Sequence, residues 1–232
     1  MGIGADHIAL YRHWADQGWL KPRGSVLDIG AQELFCTGKP EAINGLVEHF
    51  GGEPFCEADV SRLADKGMAG EMMQRAGFRY ASIDYKEYPF AIRLDLNRDR
   101  LPAEHRGRYN LVTNHGTSEH ILNQWNVFEV IHDATEIGGL MYHSVPCSGE
   151  FEHGIINYNA KFWWALQEAN GYERLKFSAW IDGESRQVPD SFSDTITDYR
   201  PSDWRAPAGW MNLLFRKISE RPFAGLVDPA FR

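Results

Sequence analysis

Two short apolar runs, each carrying an aspartate, constrain the fold of this chain more than any other feature: Ser25-Val-Leu-Asp-Ile-Gly-Ala-Gln32 and Tyr80-Ala-Ser-Ile-Asp-Tyr85. Val26, Leu27 and Ile29 favour a buried strand, and Gly30 permits a sharp turn where a ligand must approach the backbone. Asp84 stands where the second strand stops. Open α/β sheets hold a nucleoside with this arrangement: a glycine turn ends one strand, and an acid ending the next accepts hydrogen bonds from the ribose hydroxyls. A nucleoside crevice is the leading expectation.

Around these runs, strands and helices alternate. Asp6 to Leu20 has helical spacing at Ile8, Leu10, Tyr11, Trp14 and Trp19, so a leading helix should pack on the sheet or cover the site. Residues 31–78 are far longer than one crossover helix requires, and helix-like stretches at Glu41 to Phe50 and Val60 to Ala76 predict a helical insertion near the site entrance. Strands are expected at Ala91 to Leu96, Tyr109 to Thr113 and Gly139 to Val145, with a helix from Ile121 to Ile137 between the last two. The repeat predicts an α/β, doubly wound, mostly parallel sheet. Beyond Pro146, a helix over Asn159 to Asn170 is followed by strands at Tyr172 to Trp180 and Trp210 to Ile218. A polar loop of about thirty residues separates those two strands, which predicts an antiparallel pair at the sheet edge.

The chain has 232 residues, 43% hydrophobic and 24% charged, enough for one well-buried domain over 1–232. Its net charge of -8 argues against a nucleic-acid partner and favours a small molecule. Cys36, Cys56 and Cys147 lie far apart without metal or disulfide spacing and are expected to be buried thiols. Neither a basic leader with an apolar run nor a membrane-length apolar stretch occurs, so a cytoplasmic protein with no membrane partner is expected. Assembly as a homodimer is left open.

These residues resemble the class I S-adenosylmethionine-dependent methyltransferases over roughly residues 25 to 180. The family's first-strand motif is acid-x-Gly-x-Gly-x-Gly; here Asp28-Ile-Gly30-Ala-Gln32-Glu-Leu34 keeps the acid and the first glycine, while Gln32 and Leu34 replace small residues. Asp84 matches the ribose-binding acid. Asp95, in Arg93-Leu-Asp-Leu-Asn97, resembles the acidic position beside the adenine. Tyr109-Asn-Leu-Val-Thr-Asn114 followed by Ser118-Glu-His-Ile121 is similar to the fourth strand and the start of the next helix. The resemblance implies a seven-stranded sheet with a reversed last strand and S-adenosyl-L-methionine as cofactor. It places that cofactor against Asp28, Gly30, Ala31, Gln32, Asp84, Tyr85, Asp95, Leu96, Asn114 and His115.

Histidines crowd the middle third of the chain: His115, His120, His132, His143 and His153. His115-Gly-Thr-Ser-Glu-His120 has one residue too many for H-x-x-E-H, so no metal site is expected. His132 falls inside a proposed helix and should be a partly buried, hydrogen-bonded residue. His115, His120, His143 and His153 fall at crevice positions, and an imidazole suits proton removal near neutral pH. His115 or His153 is the candidate general base. The resemblance assigns His120 to the cofactor side; the competing role for these histidines is hydrogen bonding alone.

The acceptor is expected to meet the segment Cys147 to Trp164, where Glu150-Phe-Glu-His-Gly154, Asn157-Tyr-Asn159 and Phe162-Trp-Trp164 mix carboxylate, amide and aromatic groups. The alternative is that these aromatics are helix core. The expected activity is methyl transfer to oxygen, or nitrogen, of a small polar organic molecule such as a sugar or a ring-containing metabolite. A non-catalytic methyltransferase-like binding protein competes with it. A nicotinamide-dependent oxidoreductase fits less well, since its acid normally follows the glycine motif by about twenty residues.

Overall fold

The computed structural model describes residues 2–149, 153–181, 184–188 and 208–228. In chain order these form β1 (Gly2–Gly4), α1 (Ala5–Asp16), β2 (Ser25–Ile29), β3 (Glu33–Phe35), α2 (Glu41–His49), α3 (Glu57–Ala64), β4 (Asp65–Met68), α4 (Ala69–Arg75), β5 (Arg79–Asp84) and β6 (Ala91–Arg93). Then come β7 (Tyr109–His115), a 3-10 turn at Ser118–His120, α5 (Gln124–Ala134), β8 (Thr135–Ser148), α6 (Ala160–Asn170), β9 (Glu173–Ile181), β10 (Glu184–Gln187) and β11 (Gly209–Arg216).

The main sheet has eight strands in the order β10-β9-β11-β8-β7-β2-β5-β6. From β8 to β6 the pairings are parallel, and β11 runs antiparallel to both of its neighbours. The order reverses at β2, which leaves a crevice between the β2–β5 and β7 ends of the sheet. The expected doubly wound, mostly parallel sheet with a reversed last strand is present. The count is eight rather than seven because Glu184–Gln187 folds back on β9 as a short edge strand. The reversed strand lies between β8 and β9, not at the edge.

Strand alternation sorts the side chains onto two faces. One face presents Leu27, Ile29, Ile83, Val112, Met141, Val145, Leu213 and Phe215 to an apolar layer shared with α5 and α6, where Phe128, Trp163 and Tyr158 are buried. The other carries Val26, Leu111, Leu140, Tyr142 and Leu214 against α1, α2, α3 and α4. Burying each of these large side chains contributes about 1.5–3 kcal/mol. α6 begins at Asn159, whose side chain accepts the Phe162 N–H at 3.0 Å. Asn159→Ala is expected to cost about 1 kcal/mol in urea unfolding through loss of this cap.

The insertion over 31–78 is not purely helical. β3 pairs with β1 and with β4 in a separate three-stranded sheet. The single helix expected over Val60 to Ala76 is split because Lys66 takes a left-handed φ of 62° and Gly67 packs on Leu63; a Cβ on Gly67 would sit 2.5 Å from the Leu63 Cα. α5 stops at Ala134, where the structure departs from the reading of helix to Ile137, because Thr135 already pairs with Tyr109. Cys36 is buried, Cys147 is half-buried and Cys56 is exposed at the start of α3, so the expectation of three buried thiols fails for Cys56. No helix among the described residues is long and apolar enough to cross a membrane.

Candidate functional site

Gly30 ends β2 with φ 84°, a conformation open to glycine and strained for other residues, and its N–H donates to the Ile83 carbonyl at 2.7 Å. Asp84 pins the same turn from the next strand. Its carboxylate accepts the Ala31 N–H at 2.9 Å through Oδ2 and the Lys86 N–H at 2.8 Å through Oδ1. A cavity of about 450 Å³ opens here, lined by Gly30, Asp84, Tyr85, Asp95, Leu96, Thr117 and His120 among others.

Residues 94–97 leave β6 through an Asx turn, in which the Asp95 carboxylate accepts the Asn97 N–H at 3.0 Å. Asn97 Oδ1 in turn accepts the N–H groups of Leu122 and Asn123, at 3.1 and 3.2 Å, and fixes the far wall. Apolar Leu94, Leu96 and Ile121 in that wall suit the flat face of a base.

Of the residues assigned to the cofactor from sequence, Gly30, Asp84, Tyr85, Asp95 and Leu96 line this crevice, and Ala31 contributes its N–H to Asp84. The others lie elsewhere. Asp28 is fully buried, shares the Val26 side of β2 and accepts hydrogen bonds from the hydroxyls of Tyr80, at 2.6 Å, and Thr113. Burial pushes its carboxyl up to about 6 against those two hydrogen bonds. Gln32 is buried and folds back, donating Nε2 to the carbonyls of Ile29 and Gly30 and to Thr117 Oγ1, at 3.2 to 3.3 Å. A Cβ on Gly30 would lie 2.3 Å from that same hydroxyl. Gln32 and Thr117 thus bolt the β2 turn to the β7 loop.

Asn114 is buried and braces the β7 loop, donating to Ser118 Oγ at 2.8 Å and accepting the Ser118 N–H at 3.0 Å.

A second cavity of about 450 Å³ lies on the α1 side of the sheet. Alternate residues of three strands build it: Tyr142 and Ser144 of β8, Lys176, Ser178 and Trp180 of β9, and Trp210 and Asn212 of β11. His7 and Leu10 of α1 close one side, and His115 lines it from the end of β7. His115 Nε2 hydrogen-bonds the Tyr11 hydroxyl at 2.7 Å, while Nδ1 is buried without a partner. Burial, with the nearby charges of His7 and His143, holds its pKa well below the ordinary histidine value. Burial also lowers the pKa of Lys176.

The segment after β8 contributes less to this cavity than its composition implies. Tyr158, Trp163 and Trp164 are core, Phe162 packs against them, Asn157 is exposed and Asn159 caps α6. Glu150 and Glu152 lie outside the described residues. The described part of 147–164 thus supplies mostly core and cap residues, and the cavity is walled instead by the sheet face, where residues two apart in β8, β9 and β11 meet only after the strands are paired. Of the remaining histidines, His132 bonds the Tyr172 hydroxyl and the Arg221 carbonyl, as expected, and His143 is buried in the α5/α6 layer rather than the crevice.

His120 and His153 gather around Glu119. Glu119 Oε1 lies 3.3 Å from His153 Nε2 and 3.9 Å from His120 Nε2. The Glu119 side chain is 0% exposed, its Oε2 has no hydrogen-bond partner and burial pushes its pKa up to about 7. Burial lowers His120, with the charge of His153 adding to the effect. The expectation of no metal-ligating group rested on local spacing. Folding brings the distant His153 to the adjacent Glu119 and His120, with Gly154 packed closely on Glu119.

No family model and no curated protein sequence matches this chain. Among solved structures, Burkholderia thailandensis 1,6-didemethyltoxoflavin-N1-methyltransferase, with bound 1,6-didemethyltoxoflavin and S-adenosylhomocysteine, aligns over 91% of this chain and 76% of its own. The identity is 12% and the TM-score 0.50. A Galdieria sulphuraria protein provisionally named a sarcosine dimethylglycine methyltransferase aligns over 92% of this chain and 85% of its own, again at 12% identity and a TM-score of 0.50. At such identity the likeness is one of fold. With its strand order, its reversed β11 and its crevice at the β2 switch point, the chain has the Rossmann-like fold of the class I S-adenosylmethionine-dependent methyltransferases.

Proposed function

We propose that this chain is an S-adenosylmethionine-dependent methyltransferase acting on an oxygen, or next a nitrogen, of a small polar organic molecule. The crevice carries the reading: Asp84 stands at the end of β5 beside a glycine turn, with an apolar slot behind it. The ribose diol fits the Asp84 carboxylate, and the adenine fits between Leu96 and Ile121 beside Asp95. Bound cofactor would supply a sulfonium methyl; the S-adenosylhomocysteine in the Burkholderia enzyme supports the same use of this fold.

The second cavity suits the acceptor because the short span 115–117 touches both spaces, with Thr117 lining the first and His115 the second. Trp180 and Trp210 offer ring faces, and Ser144, Ser178 and Asn212 offer hydrogen bonds, a mixture suited to a polar ring. Lys176 has no carboxylate partner among the described residues and favours an acceptor bearing an acidic group. His115 is unprotonated at neutral pH and orients an acceptor hydroxyl, while holding the two molecules in line supplies most of the rate.

A non-catalytic binding protein gains support from one observation, the Gln32–Thr117 bolt across the turn where small residues usually stand. Calorimetric titration of the full chain separates the readings. Micromolar binding of S-adenosylhomocysteine supports the enzyme, NAD binding alone an oxidoreductase, and neither a scaffold. Once labelled-methyl transfer to a metabolite pool identifies an acceptor, His115→Gln is expected to slow single-turnover transfer about fivefold at unchanged S-adenosylhomocysteine affinity, the worth of one orienting hydrogen bond. An unchanged rate removes His115 from the reaction.

A further inference from the structure

We propose that Glu119, His120 and His153 together bind one divalent transition-metal ion between the two cavities. Their ligand atoms all lie within 4.8 Å of one another. Ligands about 2.0–2.2 Å from a shared ion stand roughly 3–4 Å apart, so the 3.3 and 3.9 Å separations already match the edges of a coordination shell. Two imidazoles and one carboxylate select zinc, iron, cobalt or nickel over magnesium and calcium, and three protein ligands leave positions for water or an exogenous oxygen or nitrogen ligand.

The surroundings supply independent support. Glu119 Oε2 is buried without a partner, and no lysine or arginine among the described residues pairs with this carboxylate. A buried carboxylate is costly unless a cation or several donors satisfy it. The chain also seats His153 deliberately against it. The N–H groups of Ile155 and Ile156 both donate to the Glu119 carbonyl, at 2.9 and 3.1 Å, and a Cβ on Gly154 would stand 2.7 Å from Glu119 Cγ. Only glycine lets these two segments come so close.

The position is equally specific. His120 is 47% exposed and lines the crevice, while His153 packs edge-on against Trp210 of the second cavity, with ring centroids 5.4 Å apart. An ion held here would stand where a donor and an acceptor molecule approach one another.

The test uses the untagged full chain, stripped with a chelator and titrated with Co²⁺ and Zn²⁺. One equivalent of Co²⁺ is expected to bind and give visible d–d absorption. His120→Ala, His153→Ala and Glu119→Gln should each weaken binding at least about tenfold, whereas His49→Ala, at a surface histidine beside Asp16, should not. Circular dichroism checks folding. Should Glu119→Gln fail to fold, His120→Ala decides, since its half-exposed side chain carries little of the core. Absence of stoichiometric binding, or variants that bind as the parent does, overturns the proposal and leaves Glu119–His153 a hydrogen-bonded pair. The titration contains no nucleoside. A chain that binds Co²⁺ but not S-adenosylhomocysteine keeps this site and loses the methyltransferase reading, and the reverse result does the opposite.

Discussion

Replacing Asp84 by alanine is expected to weaken S-adenosylhomocysteine binding about 100-fold, because two kinds of charge-assisted hydrogen bond disappear together. The carboxylate now holds the Ala31 and Lys86 N–H groups, and it retains acceptor capacity for a ribose diol. Hydrogen bonds to a charged group contribute about 1.5–3 kcal/mol each, so losing the ribose grip and loosening the Gly30 turn costs about 3 kcal/mol in binding. Calorimetric titration of the variant, with urea unfolding as a control for folding, checks it. Asp95→Ala serves as the comparator and should cost less, since Asp95 holds only its own turn and faces Arg98 at 3.7 Å, whereas Asp84 also pins the Gly30 turn through the Ala31 N–H. Affinity for Asp84→Ala within threefold of the parent would show that the nucleoside is held elsewhere.

A steep loss of stability in mild acid is the second large expected effect. His143 sits among the rings of Phe128, Trp163 and Phe215, with Asn114 Nδ2 at 3.4 Å, and burial lowers its pKa to about 3. The unfolded chain takes up this proton near pH 6.5 and the folded chain only near pH 3, so stability is fully present above pH 6.5 and falls as the pH drops through that window. By pH 4.5 the contribution of this one residue reaches about 3 kcal/mol. His115, also held low by burial, adds loss of the same sign. Asp28 and Glu119 oppose it, because their raised pKa values of about 6 and about 7 make the folded chain take up protons first. The clean measurement is therefore a difference: between pH 7 and pH 4.5 the parent should lose about 3 kcal/mol more than His143→Gln in urea unfolding. Parallel losses would mean that His143 protonates without penalty.

The sheet and its switch point could be read from sequence because they depend on local signals: branched apolar runs, a glycine where the chain reverses, and an acid at a strand end. Asp84 and Gly30 belong to that class. The place of Asp28 away from the crevice lining could not be read, because its neighbours are set by register; β2 pairs with β5 and β7, which brings the hydroxyls of Tyr80 and Thr113 to it. The second cavity was hidden for a related reason. Its lining comes from alternate residues on β8, β9 and β11, and nothing local states that β11 enters between the other two. The gathering of Glu119, His120 and His153 depends likewise on a distant segment docking through Gly154.

The contact of Gln32 with Thr117 has a kinetic consequence. A guest whose tail must pass between those two side chains finds the doorway shut in the resting molecule, and its apparent affinity is scaled down by the fraction of time the doorway stands ajar. Were a ligand to use that passage, one anchored first by its sugar would stay bound while the contact opened, and one lacking that anchor would depart.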